Sequence, residues 1–227
     1  MVGVCLRHAR LALAVCLLGS TPVARAAPYW VAYEGDDYPE NVGWNRWTGY
    51  GGAERWLEDG CLVIDSRASQ MIYDYYKISR QIDPEPGELF ISEWRIRVVE
   101  TYGYHEAGLG FAPDGGGTLG LAYHVDRVYS DWEGWSEAIA PGTFHEYRIE
   151  SSDMEQYSFW IDNVWVRNGA WDLDSSNRSF VGFGDQGNGG GAKSLVEWDY
   201  VRFGVVPERS GLTMALMAIT CCVGRRR

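Results

Sequence analysis

The sequence predicts an all-β domain, built as a sandwich or a barrel. In residues 89–99 (LFISEWRIRVV) apolar side chains alternate with polar or charged ones, which is the two-residue period of a half-buried strand. Segments rich in turn-forming Gly, Pro and Asp separate such stretches, for example 83–87 and 113–117. No stretch between residues 27 and 205 has the 3.6-residue period of an amphipathic helix.

Eight further segments carry strand signals, so we expect at least nine strands. We expect Trp160, inside one of these segments, to pack in the core. The segments are 61–65, 70–76, 107–111, 119–125, 144–150, 157–166, 180–183 and 195–205.

The two ends of the chain are expected to lie outside this domain. Residues 1–26 have the pattern of a secretory signal peptide: basic residues, an apolar run at 11–18, and the small-x-small motif that ends at Ala26, the predicted cleavage site. At the other end, the apolar segment 212–224 precedes three arginines. Its 13 residues are fewer than the roughly 17 that a durable transmembrane helix needs. We therefore expect one folded domain at 27–205 and a tail at 206–227.

The charge of the domain excludes one class of partner. The two ends contain seven of the 20 basic residues and one of the 31 acidic residues, which leaves 13 basic and 30 acidic residues and a net charge of −17. Such a domain repels phosphate backbones, so no nucleic-acid partner is expected.

Cys61 is the one cysteine between residues 27 and 205. An internal disulfide is therefore excluded in the domain, and the core must supply its stability. Because Cys61 lies in the apolar run CLVI, we expect a buried small hydrophobe and not a nucleophile.

Several aromatic residues lie in segments without strand alternation. Exposing such rings costs about 25 cal/mol per Å² of apolar surface, so their presence needs a reason. Packing beneath loops is one reason, and a platform on which sugar rings stack is the other; the sequence leaves both open. The candidate ligand-binding residues are Tyr102, Tyr104, Tyr129, Trp132 and Trp135.

The acidic residues offer no convincing catalytic pair. The string 34–40 (EGDDYPE) contains Pro39, which would interrupt a strand, so we interpret it as an acidic loop at the start of the domain. Glu197 and Asp199 share a face of the last predicted strand, but structural or solvated roles are favoured for them over acid/base catalysis. We predict no catalytic residues.

A calcium site is the one cofactor site that the sequence suggests. Asp185 and Asn188 place oxygen ligands within the glycine-rich segment 184–189, which suits a hard cation. An ordinary glycine-rich turn explains the segment equally well. The spacing of His and Cys does not indicate a zinc site.

Three segments resemble the concanavalin-A-like lectin/glucanase jelly roll, in the laminin-G-like versions of exported bacterial proteins. They are an opening W…R…EDG-x-L-x-I-D-like segment at 44–66, an H-x-Y-R-I-E hairpin at 144–163, and a closing strand at 183–203. The resemblance implies a two-sheet antiparallel jelly-roll sandwich whose first strand, near 29–33, lies close to its last, near 198–205. It also implies a polysaccharide or envelope partner. A non-catalytic glycan-binding or structural role is favoured; the alternative is a polysaccharide hydrolase or lyase.

The tail resembles the PEP-CTERM sorting signal of Gram-negative bacteria that produce exopolysaccharide. The resemblance rests on Val206-Pro207-Glu208, the apolar segment and the arginines, although Arg209 stands where the family has a second proline. It implies export and sorting machinery as partners, processing at Pro207 and Glu208, and transient inner-membrane contact. The protein would then act in the cell envelope or extracellular matrix. An uncleaved C-terminal anchor is the alternative.

Overall fold

A computed structural model describes residues 31–49, 51–68, 73–79, 84–102, 107–112, 119–130, 133–170, 180–185 and 193–208. Several predictions concern other residues: the signal peptide with Ala26, the aromatic residues Tyr104 and Trp132, the calcium ligand Asn188, and the tail beyond Glu208. Within the described part, no helix is long and apolar enough to cross a membrane.

The described residues form fifteen strands and one short 3₁₀ turn at Pro39–Val42. The strands are β1 (Val31–Tyr33), β2 (Asn45–Gly49), β3 (Glu54–Glu58), β4 (Cys61–Asp65), β5 (Tyr73–Ser79), β6 (Glu88–Tyr102), β7 (Ala107–Ala112), β8 (Leu119–His124), β9 (Arg127–Ser130), β10 (Trp135–Ala138), β11 (His145–Ser151), β12 (Gln156–Ile161), β13 (Val164–Ala170), β14 (Phe180–Asp185) and β15 (Lys193–Pro207).

These strands form two antiparallel sheets. Sheet 1 has the order β13-β12-β11-β6-β15-β4-β3, and β1 also pairs with β15. Sheet 2 has the order β10-β9-β8-β7-β14-β5-β2. The prediction of an all-β, two-sheet antiparallel sandwich is confirmed.

The first and last strands of the sandwich are direct neighbours. Val31 lies opposite Phe203, and Tyr33 lies opposite Val201. This pairing confirms that the two ends of the domain meet.

The last strand continues two residues beyond the boundary expected at 205. Pro207, the last residue of β15, lies opposite Glu88, and the N–H of Glu208 donates to the carbonyl oxygen of Gly87 at 2.9 Å. Of the two predicted processing residues, Pro207 therefore lies in the last strand and Glu208 directly follows it.

Stacked aromatic rings fill the space between the sheets. Trp94 stacks on Tyr147, and Tyr147 stacks on Phe159, with ring centroids 5.9 and 6.2 Å apart. The indole Nε1 of Trp94, in sheet 1, donates to the hydroxyl of Tyr123, in sheet 2, at 2.7 Å. This hydrogen bond satisfies two buried polar atoms and joins the sheets through the core.

Cys61 is buried, as the sequence predicts. Burial is the largest of the effects that raise the pKa of its thiol, to about 11. A thiol in this environment is a poor nucleophile at neutral pH, because the thiolate is the reactive form.

The expectation that Trp160 packs in the core is wrong. The segment 157–166 forms two strands, β12 and β13, joined by a turn in which Asp162 and Asn163 have positive φ. In β12 it is Phe159 that points into the core. Alternation therefore places Trp160 on the outer face, where it is half-buried beneath the guanidinium of Arg148, 4.5 Å from the ring centroid.

Candidate functional site

The outer face of sheet 2 has a floor of small residues at its centre. In β14, Val181 and Phe183 are buried, so Gly182 and Gly184 face outward. The strand register places these glycines beside equally small residues of β7 and β8. The floor consists of two rows that run across the three strands: Gly184, Gly108 and Ala122, and then Gly182, Gly110 and Gly120.

Gly184 is required at its position. Its φ of 138° lies in a region that other residues rarely adopt, and a Cβ atom there would lie 2.6 Å from the carbonyl oxygen of Asp74. The floor is consequently without side chains at this point.

Aromatic residues of β2 and β5 form one wall beside the floor. Trp47, which is 42% exposed, stacks on Tyr75 with centroids 6.4 Å apart. The Nζ atom of Lys77 lies 3.2 Å from the Trp47 centroid, which is a cation–π contact. Tyr76, between Tyr75 and Lys77, is buried, so both of its neighbours face outward.

Tyr129 of β9 forms the opposite wall. It lies beside Ala122 in the register, and the guanidinium carbon of Arg127 is 5.7 Å from its ring centroid. Asp126, in the preceding turn, accepts from Arg127 at 3.3 Å and lies 2.7 Å from Nδ1 of His124. The hydrogen bond with His124 is the main cause that lowers the pKa of the Asp126 carboxyl.

The two walls face each other across one continuous row of the sheet. This row runs from Trp47 and Tyr75 over the small residues of β14, β7 and β8 to Tyr129. Tyr75 and Tyr129 are four strand spacings apart, which is roughly 19 Å. We call the small-residue floor, with Trp47, Tyr75 and Lys77 on one side and Arg127 and Tyr129 on the other, the trough.

Of the predicted platform residues, the structure places Tyr129 at the trough and Tyr102 elsewhere. Tyr102 ends β6 in sheet 1, where it is 54% exposed and its hydroxyl donates to Glu100. Tyr102 therefore does not share a surface with Tyr129.

Trp135 is not in a loop, as the sequence suggested, but begins strand β10. Its ring packs against the core, 5.6 Å from the centroid of Phe159, and its Nε1 donates to Glu133 at 2.9 Å. The guanidinium of Arg167 lies 4.6 Å from the same ring. For Trp135, packing explains the position of the ring.

Trp47, Tyr75 and the glycine floor are not among the residues that the sequence predicts for a platform. Glycine occupies every second position in the centre of β7 (AGLGFA) and β14 (FVGFGD). In a strand this period removes side chains from one face only. That pattern was the signal available in the sequence for a depression on one side of the sheet.

Asp185, the described member of the predicted calcium pair, points into the sandwich. It is fully buried, and its Oδ2 accepts from the hydroxyls of Ser66 at 2.5 Å and Ser194 at 2.9 Å. These bonds tie the end of β14 in sheet 2 to residues of sheet 1. Among the residues that the structure describes, no three His, Cys, Asp or Glu side chains are grouped to hold a metal ion.

The carboxylates that the sequence singled out lie away from the trough. Glu197 pairs with Arg97 at 2.5 Å and Asp199 pairs with Arg95, both on the outer face of sheet 1. In the string 34–40, Pro39 begins the 3₁₀ turn, so this segment is not a strand.

In their described parts, the strands of sheet 2 turn no carboxylate outward. Asp74 and Asp185 are buried. Glu137 lies opposite the buried Val128 and thus on the inner side of the sheet. The trough is therefore apolar and cationic where the structure describes it.

Comparison with solved structures identifies the architecture. An endo-1,3-beta-glucanase from Streptomyces sioyaensis aligns with a TM-score of 0.56 and 15% identity, over 83% of this chain and 100% of that chain. The fold is a glucanase-type jelly roll. A carbohydrate esterase from bacteriophage phi24B aligns with a TM-score of 0.56 and 9% identity, over 80% of this chain and 100% of that chain.

The same jelly roll occurs within a longer protein named as a sialidase, at a TM-score of 0.54 and 11% identity, over 81% of this chain and 19% of that chain. No protein-family model matches the chain, and no curated protein sequence is significantly similar to it. These likenesses show the fold alone, because one jelly roll can host unrelated functions.

Proposed function

We propose that this protein is a non-catalytic glycan-binding protein and that the trough is its binding site. The observation that carries the proposal is the outer face of sheet 2. There a floor of small residues lies between outward-facing aromatic residues, and the described strands turn no carboxylate outward.

The dimensions of the trough suit an extended saccharide. Aromatic faces provide rigid apolar area, and their polar tips remain available for hydrogen bonds. Because Tyr75 and Tyr129 lie roughly 19 Å apart, one sugar ring cannot contact both, whereas an oligosaccharide can. The glycines of the floor let the ligand approach the sheet backbone closely.

The alternative, a hydrolase or lyase, lacks support from the described residues. Glycosidases usually place two carboxyl groups about 5–5.5 Å apart for retention or about 6.5–9.5 Å apart for inversion. The described strands of sheet 2 present no such outward pair, and Glu197 and Asp199 are bound to arginines on the other sheet. We therefore favour binding over catalysis.

Filling the floor tests the site. Ala122→Trp places a large ring at the centre of the trough, and we expect at least a tenfold loss of affinity for any polysaccharide that the protein binds. The measurement is affinity electrophoresis of the purified protein against a neutral β-1,3-glucan and a polyuronate. Ser136→Trp is the matched control, because Ser136 lies beside Tyr129 on the side away from the floor.

Equal affinity of the two tryptophan variants, or the absence of binding to either polymer by the unmodified protein, would contradict the proposal. Release of reducing ends or of unsaturated sugars from a bound polymer would instead establish the catalytic alternative.

We propose further that the protein is exported and processed at its C-terminus. The signal-like segment 1–26, the apolar segment 212–224 and the terminal arginines support this route, because three arginines resist translocation. Intact-mass measurement on protein from the native host should show a mature form that begins after Ala26 and ends near Pro207-Glu208. A mature form that still ends at Arg227 would refute processing and favour a tethered protein.

A further inference from the structure

The charges around the trough differ in sign from those of the protein as a whole. The chain carries a net charge of −11. On the outer face of sheet 2, however, two cations among the described residues flank the floor, Lys77 on one wall and Arg127 on the other. Asp126, a described carboxylate beside the second wall, lies in a turn where it is shared between Arg127 and His124.

Four acidic residues on the outer face of sheet 1 are placed where they affect the trough little. Glu146, Glu150, Glu197 and Asp199 belong to strands of sheet 1. Stacked sheets pack about 10 Å apart, so charges on the outer face of sheet 1 are farther than that from the trough. The Debye length is about 8 Å at physiological ionic strength, so these four charges contribute little to the electrostatic potential at the trough.

Both cations are held against the aromatic rings of the walls. The ammonium of Lys77 lies 3.2 Å from the Trp47 centroid, and the guanidinium of Arg127 lies 5.7 Å from the Tyr129 centroid. A sugar that stacks on either wall would bring its substituents next to a positive charge. Because the two walls are roughly 19 Å apart, one small anion cannot reach both, whereas a polymer with repeated negative charges can.

We propose that the ligand of the trough is an anionic polysaccharide, whose repeated carboxylate or sulfate groups pair with Lys77 and Arg127. This inference rests on the proposed function and names the class of glycan. An acidic protein can bind an acidic polymer in this way because the attraction acts only at the outer face of sheet 2.

The test compares polymers that differ only in charge. The probes are a polyuronate and the same polymer with its carboxyl groups reduced to alcohols, together with a β-1,3-glucan and its sulfated form. We expect the protein to bind at least one anionic probe tenfold or more tightly than its neutral counterpart. The difference should shrink as salt is raised from 50 mM to 500 mM, because mobile ions screen exposed charges.

Variants that remove the two positive charges test whether Lys77 and Arg127 cause the preference for anionic polymers. The double variant Lys77→Gln with Arg127→Gln should abolish this preference, so that the anionic probe binds no more tightly than its neutral counterpart. Arg97→Gln is the matched control, because it removes a cation from the outer face of sheet 1. Thermal melting of each variant verifies folding.

Three results would overturn the inference: equal affinity for both members of each pair, an anionic preference that survives the double variant, or an equal loss in the Arg97 variant. In each case, loss of neutral-glycan binding in Ala122→Trp would still support the trough as a glycan site. Failure of all four polymers to bind would contradict the proposed function itself.

Discussion

Replacement of Phe159 by alanine is expected to lower the free energy of unfolding by about 3–5 kcal/mol. The Phe159 ring is fully buried between the sheets. It stacks on Tyr147 with an interplanar angle of 8° and contacts Trp135. Alanine would leave a cavity among rigid aromatic rings that cannot collapse to fill it, so both the transfer energy and the packing energy are lost. Urea denaturation, with the free energy extrapolated to water, measures the change.

Trp160→Ala is the matched control for this prediction, one residue along the same strand. Trp160 is half-buried on the outer face, where its ring contacts the guanidinium of Arg148. Loss of an exposed cation–π contact and of partial burial should cost only about 1 kcal/mol. If Trp160→Ala destabilised the protein as much as Phe159→Ala, the assignment of the two faces of β12 would be wrong.

Replacement of Asp74 by alanine is expected to cost about 3 kcal/mol of stability, near the lower end of the range for breaking a buried ion pair. The Asp74 carboxylate accepts from Nε of Arg46 at 2.9 Å, from Nη2 of Arg46 at 2.5 Å and from the N–H of Ala53 at 2.7 Å. Its removal leaves these donors unsatisfied in a largely buried place. The Arg46 side chain remains 24% exposed, so water offsets part of the loss.

A double-mutant cycle with Arg46→Ala tests this interpretation. If the ion pair is the cause, the double variant loses less stability than the sum of the losses in the two single variants. Glu34→Ala breaks a more exposed pair with Arg202, whose side chains are 45% and 31% exposed. That change should cost at most about 1 kcal/mol. A cost for Glu34→Ala equal to that for Asp74→Ala would contradict the role assigned to burial.

Asp74 also supports the trough from below. It precedes the outward-facing Tyr75 in β5, and a Cβ atom at position 184 would lie 2.6 Å from its carbonyl oxygen. Polar atoms inside the sheet therefore hold in place the backbone that the ligand would approach from outside.

Local patterns in the sequence sufficed to predict the strands with regular alternation. From Glu93 to Val98 of β6 polar and apolar residues alternate, and the structure buries Trp94, Ile96 and Val98 as that pattern requires. The period of two is a property of the extended backbone itself, so it can be recognised without knowing the neighbouring strands.

The faces of β12 could not be predicted in this way, because the run Tyr157-Ser158-Phe159-Trp160-Ile161 is apolar at adjacent positions. The pairing of Phe159 with Ile149 and of Trp160 with Arg148 decides which ring enters the core. A shift of one residue would exchange the two rings, and only contacts with the neighbouring strand set the register.

The sequence by itself determined the class of fold and the buried state of Cys61. Its resemblance to a jelly roll implied that the first and last strands lie close together, and the structure shows that they pair directly. The tertiary structure alone decided the trough. Its floor requires Gly184, Gly108 and Ala122 to lie side by side, although long segments of chain separate them. Strand order and register are set by packing of the whole sandwich, whereas the local sequence specifies only that each segment is extended and which of its side chains share a face.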